Sequence, residues 1–244
     1  IGLFFLVLGR LSGAIMIMPG FSGSYVPTRS RLMVTVAITF VAYPAVRDTL
    51  PPVPGDAIAY TVMIGGEIGI GFFFGALAAT MMAALNFGGR AASFAIGQAN
   101  AMVQDPTTNS QSALFATFLS NFALLMIFVL DLHHVFFRAV INSYNLFPPG
   151  QWPPMGDLTR ALARYGADAL EMGFQLVSPF FFFHFVQLAL VGILTRLMPN
   201  VPIFFVMIPL RAIGGMLILL ITLQAILMWF AGYFEEGLIR FTAG

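Results

Sequence analysis

Residues 64–83 read IGGEIGIGFFFGALAATMMA, and this stretch decides the fold. It lies within a longer apolar run, Ile58–Leu85, which exceeds the ~20 helical residues that cross a bilayer. Its small residues recur at every fourth position, where they would let another helix approach closely: Gly71, Gly75, Ala79 and Ala83. The run also contains one carboxylate, Glu67. We therefore expect a long helix that packs tightly against a second helix in apolar surroundings.

The composition of the whole chain agrees with such surroundings. Hydrophobic residues make up 59% of the 244 residues, and charged residues only 9%, against roughly a quarter in an ordinary globular domain. A chain with so little polar surface is not expected to be a soluble monomer, so we predict contact with membrane lipid or apolar subunits. The net charge of +1 predicts no nucleic-acid partner. The chain opens on Ile1 rather than methionine, so we expect an N-terminal segment to precede it.

Apolar runs separated by proline, glycine and polar residues predict an all-α protein of long, broken helical hairpins. The run Leu32–Val46 holds only 15 residues, which is short for a bilayer span. Asp157 is predicted to be the N-cap of a helix that is amphipathic at first and then apolar to Leu197. The predicted apolar segments are Leu3–Met18, Leu32–Val46, Ile58–Leu85, Ala113–Leu130, Val135–Phe147, Phe174–Leu197 and Val201–Phe234.

The distribution of arginines among the loops does not predict the orientation of the helices in a membrane. Six helices would place four arginines in the loops of each side, where membrane proteins normally show a clear bias. Either the orientation signals are weak, or the final location is not an ordinary bilayer span. The two sets are Arg29, Arg31, Arg90 and Arg196 against Arg47, Arg160, Arg164 and Arg240.

Glu67 has two interpretations. A carboxylate inside an apolar helix is a candidate functional group, but such charges also commonly form structural pairs, here with Arg10 or Arg211. His184 and Gln187 likewise fit either a proton relay or interhelical hydrogen bonds. We expect eight residues to act as buried charges or packing positions: Arg10, Glu67, Gly71, Gly75, Asp131, His134, Arg196 and Arg211.

Asp131, His133 and His134 suggest a metal site at first sight. Adjacent histidines on a helix point about 100° apart, so they do not share a face. The spacing also lacks the two histidines one turn apart that a zinc protease uses. We therefore predict no metal, no cofactor and no catalytic residue here.

The segment Gln98–Ser112 is unusually polar for this chain. Irregular backbone at membrane depth is tolerated only where protein buries it or water lines it. The segment is therefore either an external loop or a plug folded into a pore, and we predict the plug. The predicted plug residues are Gln98, Asn100, Met102, Gln104, Asp105, Pro106, Asn109 and Gln111.

Seven motifs, in order and over nearly the whole chain, resemble the FliR/SctT family of type III secretion export-gate proteins. They are Arg10 with Pro19, Val26-Pro27 and Arg31; Glu67-Ile-Gly-Ile-Gly-Phe-Phe-Phe-Gly75; Ile96-Gly97-Gln98 with Asp105-Pro106; Asp131-Leu-His-His134; Ser143 with Pro148-Pro149-Gly150; Leu190–Asn200 with Arg196 and Pro199; and Phe204 with Pro209-Leu210.

This resemblance implies a non-enzymatic gate subunit without a cofactor. One such chain would assemble with FliP and FliQ homologues into a helical cone at the bacterial inner membrane, in the flagellar basal body. Residues 1–150 would be FliP-like and residues 151–244 a FliQ-like hairpin, with FlhB and FlhA as further partners and unfolded proteins as cargo. The alternatives are a virulence-type export gate, a stand-alone secondary transporter or channel, and an intramembrane enzyme.

Overall fold

Helices form almost all of the part of the chain that the computed structural model describes, which comprises residues 2–23, 25–97, 102–105, 110–151, 153–198 and 203–241. A 3₁₀ turn, Arg47–Thr49, extends the second helix, and two short strands are β1 (Met102–Asp105) and β2 (Ser110–Ala113). The predicted all-α fold is confirmed. The helices are α1 (Gly2–Ile17), α2 (Thr28–Val46), α3 (Ala57–Ala95), α4 (Leu114–Val129), α5 (Leu132–Leu146), α6 (Met155–Leu197) and α7 (Ile203–Ile239).

Helix α3 is the centre of the fold, and α1, α4 and α6 pack on it. It begins where the Asp56 carboxylate accepts hydrogen bonds from the backbone N–H groups of Ile58 and Ala59, at 3.2 and 3.4 Å. Such a cap satisfies N–H groups that have no partner within the helix. At 39 residues, α3 is about 58 Å long.

The central helix runs ten residues beyond the predicted end at Leu85, through Gly88 and Gly89. Both glycines lie at helix crossings rather than at a break. A Cβ on Gly88 would lie 2.9 Å from a methyl carbon of Leu176, and one on Gly89 would lie 2.5 Å from the Cα of Ala116. Packing by α6 and α4 therefore stabilises helix at positions where glycine alone disfavours it.

The closest approach in the core is between α1 and α3. A Cβ on Gly71 would overlap the carbonyl oxygen of Arg10, and one on Gly75 would lie 2.8 Å from that of Ala14. From the other side, a Cβ on Gly13 would lie 2.5 Å from the carbonyl oxygen of Ile68. Small residues on both helices therefore let the two backbones touch.

Helix α6 has the amphipathic N-terminal half that the sequence predicted. Its apolar face is buried at Leu158, Tyr165 and Met172, whereas its charged side chains are exposed. The predicted cap is wrong: the N-cap is Pro154, and Asp157 lies in the first turn, where a carboxylate favours the positive helix end. Asp157 also pairs with Arg160 at 3.3 Å.

The C-terminal helices form an antiparallel hairpin. The Tyr165 hydroxyl of α6 donates to the carbonyl oxygen of Gly237 on α7 at 3.1 Å. The Tyr233 hydroxyl donates back to the carbonyl of Tyr165 at 3.4 Å. These bonds join the start of α6 to the end of α7.

Within the part of the chain that the structure describes, four helical segments are long and apolar enough to cross a membrane: Thr28–Thr49, Ala57–Ala95, Met155–Leu197 and Phe205–Ile239. Helices α4 and α5 form a fifth candidate as a pair bent by 71°. Thr28–Thr49 has 22 residues, so the prediction that the second helix is too short was wrong. The residues before Leu32 continue the helix, because Arg31 donates to the carbonyl oxygens of Val26 and Gly23 and holds the preceding loop against the first turn.

We predict that Gly71→Ala destabilises the chain by about 1–3 kcal/mol, because the new methyl group meets backbone atoms that cannot rotate away. Gly65→Ala is the matched control on the same helix, since nothing lies within 4 Å of its Cβ position. That control should be neutral or slightly stabilising. The measurement is the temperature at which the protein, solubilised in detergent together with the subunits that co-purify with it, loses its monodisperse peak. Equal temperatures for the two variants would contradict the close approach.

Candidate functional site

A fully buried ion pair joins α1 to α3. The Nε of Arg10 donates to Glu67 Oε2 at 2.7 Å, and its Nη2 donates to Oε1 at 3.1 Å. The two side chains are 0% and 2% exposed. This two-point geometry is the strongest form of an arginine–carboxylate contact. The sequence left Arg10 and Arg211 as possible partners of Glu67, and the partner is Arg10.

The end of α5 completes the surroundings of the guanidinium. Nη1 of Arg10 donates to Ser143 Oγ at 3.0 Å, and Nη2 donates to the carbonyl oxygen of Phe147 at 2.9 Å. The guanidinium carbon lies 3.7 Å from the centre of the Tyr144 ring. The contacts at Ser143, Tyr144 and Phe147 were not predicted, and the only signal is the polar run 142–145 near the end of an amphipathic helix.

This arrangement links three helices that are distant in sequence. A buried charge is costly unless it is paired and its remaining hydrogen-bonding groups are satisfied. Here the carboxylate, a hydroxyl and a carbonyl all accept from one guanidinium, so the cost is offset only when all three helices are in place. The site is therefore a structural junction of α1, α3 and α5. Glu67 also borders a cleft of about 350 Å³ beside Gly150 and Gln151.

The other predicted buried charges lie elsewhere. Asp131 and His134 are exposed at the bend between α4 and α5, and Arg196 is exposed in the last turn of α6. The expectation that these three are buried is wrong for the single chain, because each lies where a helix ends at the protein surface. Arg211 is half-buried within α7.

The bend between α4 and α5 brings Asp131, His133 and His134 together. Asp131 has a positive φ of 56°, a conformation that aspartate tolerates better than most residues. The two imidazole ring centres lie 4.1 Å apart with their planes tilted by 37°. The expectation that adjacent histidines point away from each other is therefore wrong for the rings, which rotation about the side-chain bonds brings close together.

These three groups each offer one ligand atom, and the atoms lie within 4.8 Å of one another. The His134 Nδ1 to Asp131 Oδ1 distance of 3.5 Å is close to the ~3.4 Å between ligand atoms of tetrahedral zinc. A structural zinc site is closed by four protein ligands, however, and no fourth histidine, cysteine or carboxylate among the described residues joins this group. Asp131 and His134 are largely exposed, and His133 Nδ1 lies 3.4 Å from the carbonyl oxygen of Ile127. We assign no metal here.

The predicted plug segment contains a β-ribbon rather than wholly irregular backbone. Strands β1 and β2 pair antiparallel, with Met102 opposite Ala113 and Asp105 opposite Ser110. Pairing lets backbone groups satisfy one another in apolar surroundings, which the sequence-based argument from helix-breaking residues did not foresee. Met102, Gln104, Asp105 and Gln111 lie in these strands. Outside the described residues lie Gln98, Asn100, Pro106 and Asn109.

We predict that Glu67→Gln destabilises the protein by about 3–5 kcal/mol, because it leaves the Arg10 charge buried without a counter-charge. The double variant Arg10→Met/Glu67→Leu should recover part of this loss, since it removes both charges. Arg160→Ala, which breaks only the exposed pair with Asp157, is the control and should have little effect. The measurement is the thermal stability in detergent of the protein together with the subunits that co-purify with it. Unchanged stability together with an altered proton dependence of secretion would instead support a proton relay through Glu67.

Comparison with known proteins supplies the family. Residues 1–237 match the family model described as bacterial export proteins, family 1. The chain is 30% identical to the flagellar biosynthetic protein FliR of Caulobacter vibrioides, over 97% of this chain and 94% of that protein. It is 26% identical to FliR of Bacillus subtilis, over 91% and 86%, and 25% identical to FliR of Escherichia coli, over 98% and 88%.

These matches span the helices that meet at the buried ion pair and the C-terminal hairpin alike. The chain therefore belongs to the bacterial export proteins of family 1, and it is an all-helical membrane component of the flagellar export apparatus.

Proposed function

We propose that this protein is a structural subunit of the flagellar type III export gate. With FliP and FliQ homologues it forms the closed conduit through which unfolded flagellar proteins cross the bacterial inner membrane. FlhB and FlhA bind the same assembly in the flagellar basal body. The chain itself performs no catalysis. The full-length similarity to FliR proteins carries the proposal.

The uneven burial of the helices supports a role within an assembly. The central helix α3 buries 56% of its most apolar 18-residue stretch, whereas α6 and α7 bury only 22% and 28%. Large apolar side chains are exposed along both C-terminal helices, for example Phe182, Phe185 and Ile221. Apolar faces of this extent mark contact with lipid or with other subunits.

Helix length supports contact of part of this exposed apolar surface with other subunits rather than with lipid alone. At 37 residues, α7 is about 55 Å long, against about 30 Å for the bilayer core. Even allowing for tilt, an apolar helix of this length extends beyond the hydrocarbon. We propose that residues 1–150 pack like a FliP subunit and residues 151–244 like a FliQ hairpin, in a cone raised partly above the bilayer.

The proposal predicts that the chain is stable only with its partners. Expressed alone, it should aggregate or be degraded, because one bundle of this size leaves too much apolar surface uncovered. Co-expressed with FliP and FliQ homologues, it should co-purify with both in one particle. The measurement is size-exclusion chromatography with native mass determination. A monodisperse, folded monomer obtained without partners would contradict the proposal.

We further propose that residues 98–111 plug the closed conduit. Deleting residues 102–109 and joining the ends with glycine and serine should leave an assembled but leaky complex, because the deletion removes the ribbon and spares the helices. The readout is the permeability of cells to small ions and small molecules. The matched control replaces the exposed loop residues Pro52 and Val53 with glycine and serine. An assembled deletion complex that leaks no more than wild type would show that the segment is an external loop.

A further inference from the structure

A short strap joins the buried ion pair to the C-terminal hairpin. The strap comprises residues 147–154, between the end of α5 and the start of α6, and four of these eight residues are proline. Its first residue is held by the pair itself, since Nη2 of Arg10 donates to the carbonyl oxygen of Phe147 at 2.9 Å. The beginning of the strap is therefore fixed relative to Arg10 and Glu67.

A turn and the prolines make the strap stiff. Gly150 has a positive φ of 87° and follows Pro149, which is the pattern of a type II turn. The backbone N–H of Gln151 closes this turn onto the carbonyl oxygen of Pro148 at 3.5 Å. Because proline holds φ near −65°, few backbone torsions remain that could absorb a displacement of Phe147.

The far end of the strap sets the place where α6 begins. Pro154 is the N-cap of α6, and Pro153 is buried against α3. A Cβ on Gly66 would lie 3.8 Å from Cδ of Pro153. Since Gly66 precedes Glu67 in the sequence, both ends of the strap lie near the same turn of α3. A change at the ion pair can therefore reach the start of α6 at either end.

The middle of the strap has room to move. Gly150 and Gln151 border the cleft of about 350 Å³ beside Glu67. Pro148 and Pro153 border a second cavity of about 290 Å³. Packing along the strap leaves this space unfilled, so the contacts at its two ends limit the movement.

Helix α6 packs less closely on α3 in its first half than at its middle. A Cβ on Gly173 would lie 3.0 Å from the carbonyl oxygen of Ala84, whereas one on Gly166 would lie 4.0 Å from the methyl group of Thr80. From Met155 to Gly173 the helix rises about 27 Å. The closest crossing is therefore far from the start of α6, where the strap holds the helix.

We propose that the ion pair of Arg10 and Glu67 positions the C-terminal hairpin, and that the strap is the connection between them. The pair then couples the bundle of α1–α5 to the hairpin of α6 and α7, whose apolar faces are exposed. Arg10 is a positioning residue in this role, because it acts on the hairpin through the Phe147 carbonyl. The inference concerns the chain itself and does not depend on which subunits cover the hairpin.

The test measures the distance between α3 and α6 in the complex purified with its co-purifying subunits. The chain contains no cysteine, so Thr61→Cys and Thr159→Cys add two labelling sites at exposed positions of the two helices. Double electron–electron resonance between spin labels gives the distance distribution. A complex without these two cysteines supplies the background from other subunits. The otherwise unchanged chain should give one narrow distance.

Arg10→Lys tests the ion pair. Lysine retains a positive charge beside Glu67, but it lacks the guanidinium fork that holds the carboxylate at two points and also reaches Phe147. We expect the distance to shift by several ångströms or its distribution to broaden at least twofold. Ser143→Ala is the matched control, because it removes another hydrogen bond of the same guanidinium and spares the strap. It should leave the distance unchanged.

Gly150→Ala tests the strap while the ion pair stays intact. The nearest atom to the new Cβ would be Cε of Met63 at 3.7 Å, so there is space for it, but alanine disfavours a φ of +87°. The distance should change as it does in Arg10→Lys. Gly156→Ala, in the first turn of α6, is the control. Its Cβ would lie 4.0 Å from Nη2 of Arg160, and the distance should not change.

The inference is overturned if either Arg10→Lys or Gly150→Ala assembles and leaves the distance unchanged, since packing of α6 on α3 would then suffice. It is also overturned if Ser143→Ala changes the distance as much as Arg10→Lys does, because a general loosening of the core would explain both. If Arg10→Lys yields no complex, Gly150→Ala and its control decide the question.

Discussion

The contact of α1 with α3 is the constraint on which the core depends. Gly13, Gly71 and Gly75 remove the side chains that would hold the two backbones apart. Glu67 lies one helical turn before Gly71 on α3. Because the two helix backbones are this close, Arg10 reaches Glu67 and forms a two-point ion pair with it. The same guanidinium then fixes the end of α5 through Ser143 and the Phe147 carbonyl. Backbone packing and charge pairing are thus coupled, because the pair is satisfied only when the helices touch.

Burial of apolar side chains and pairing of polar groups are more complete around α3 than along α6 and α7. Around α3, apolar side chains are buried, and Glu67, the one acid that is buried among the described residues, is paired. Along α6 and α7, apolar side chains face outward and the polar groups of Gln187 remain unpaired. Since membrane helices associate through packing and interhelical hydrogen bonds, the exposed apolar faces of this hairpin are available for contact with lipid or with other helices.

The polar segment between α3 and α4 contains a two-stranded ribbon that contacts both helices. Strands β1 and β2 pair with each other, so the backbone groups that face the partner strand are satisfied, whereas those on the two outer edges need other partners. Five of the eight strand residues are polar, and the proposed plug role rests on this polar composition.

The sequence by itself determined the helical membrane class, the small-residue stripe on α3 and the amphipathic start of α6, because composition and periodicity are local properties. The family was indicated by the resemblance of its motifs. Only the tertiary structure decided that Glu67 pairs with Arg10 rather than Arg211, since both arginines lie in apolar runs and nothing local separates them. It also decided that α3 continues through Gly88 and Gly89, and that Asp131, His134 and Arg196 are exposed. These outcomes depend on which helices touch, and contacts between residues far apart in the chain leave no mark on local periodicity.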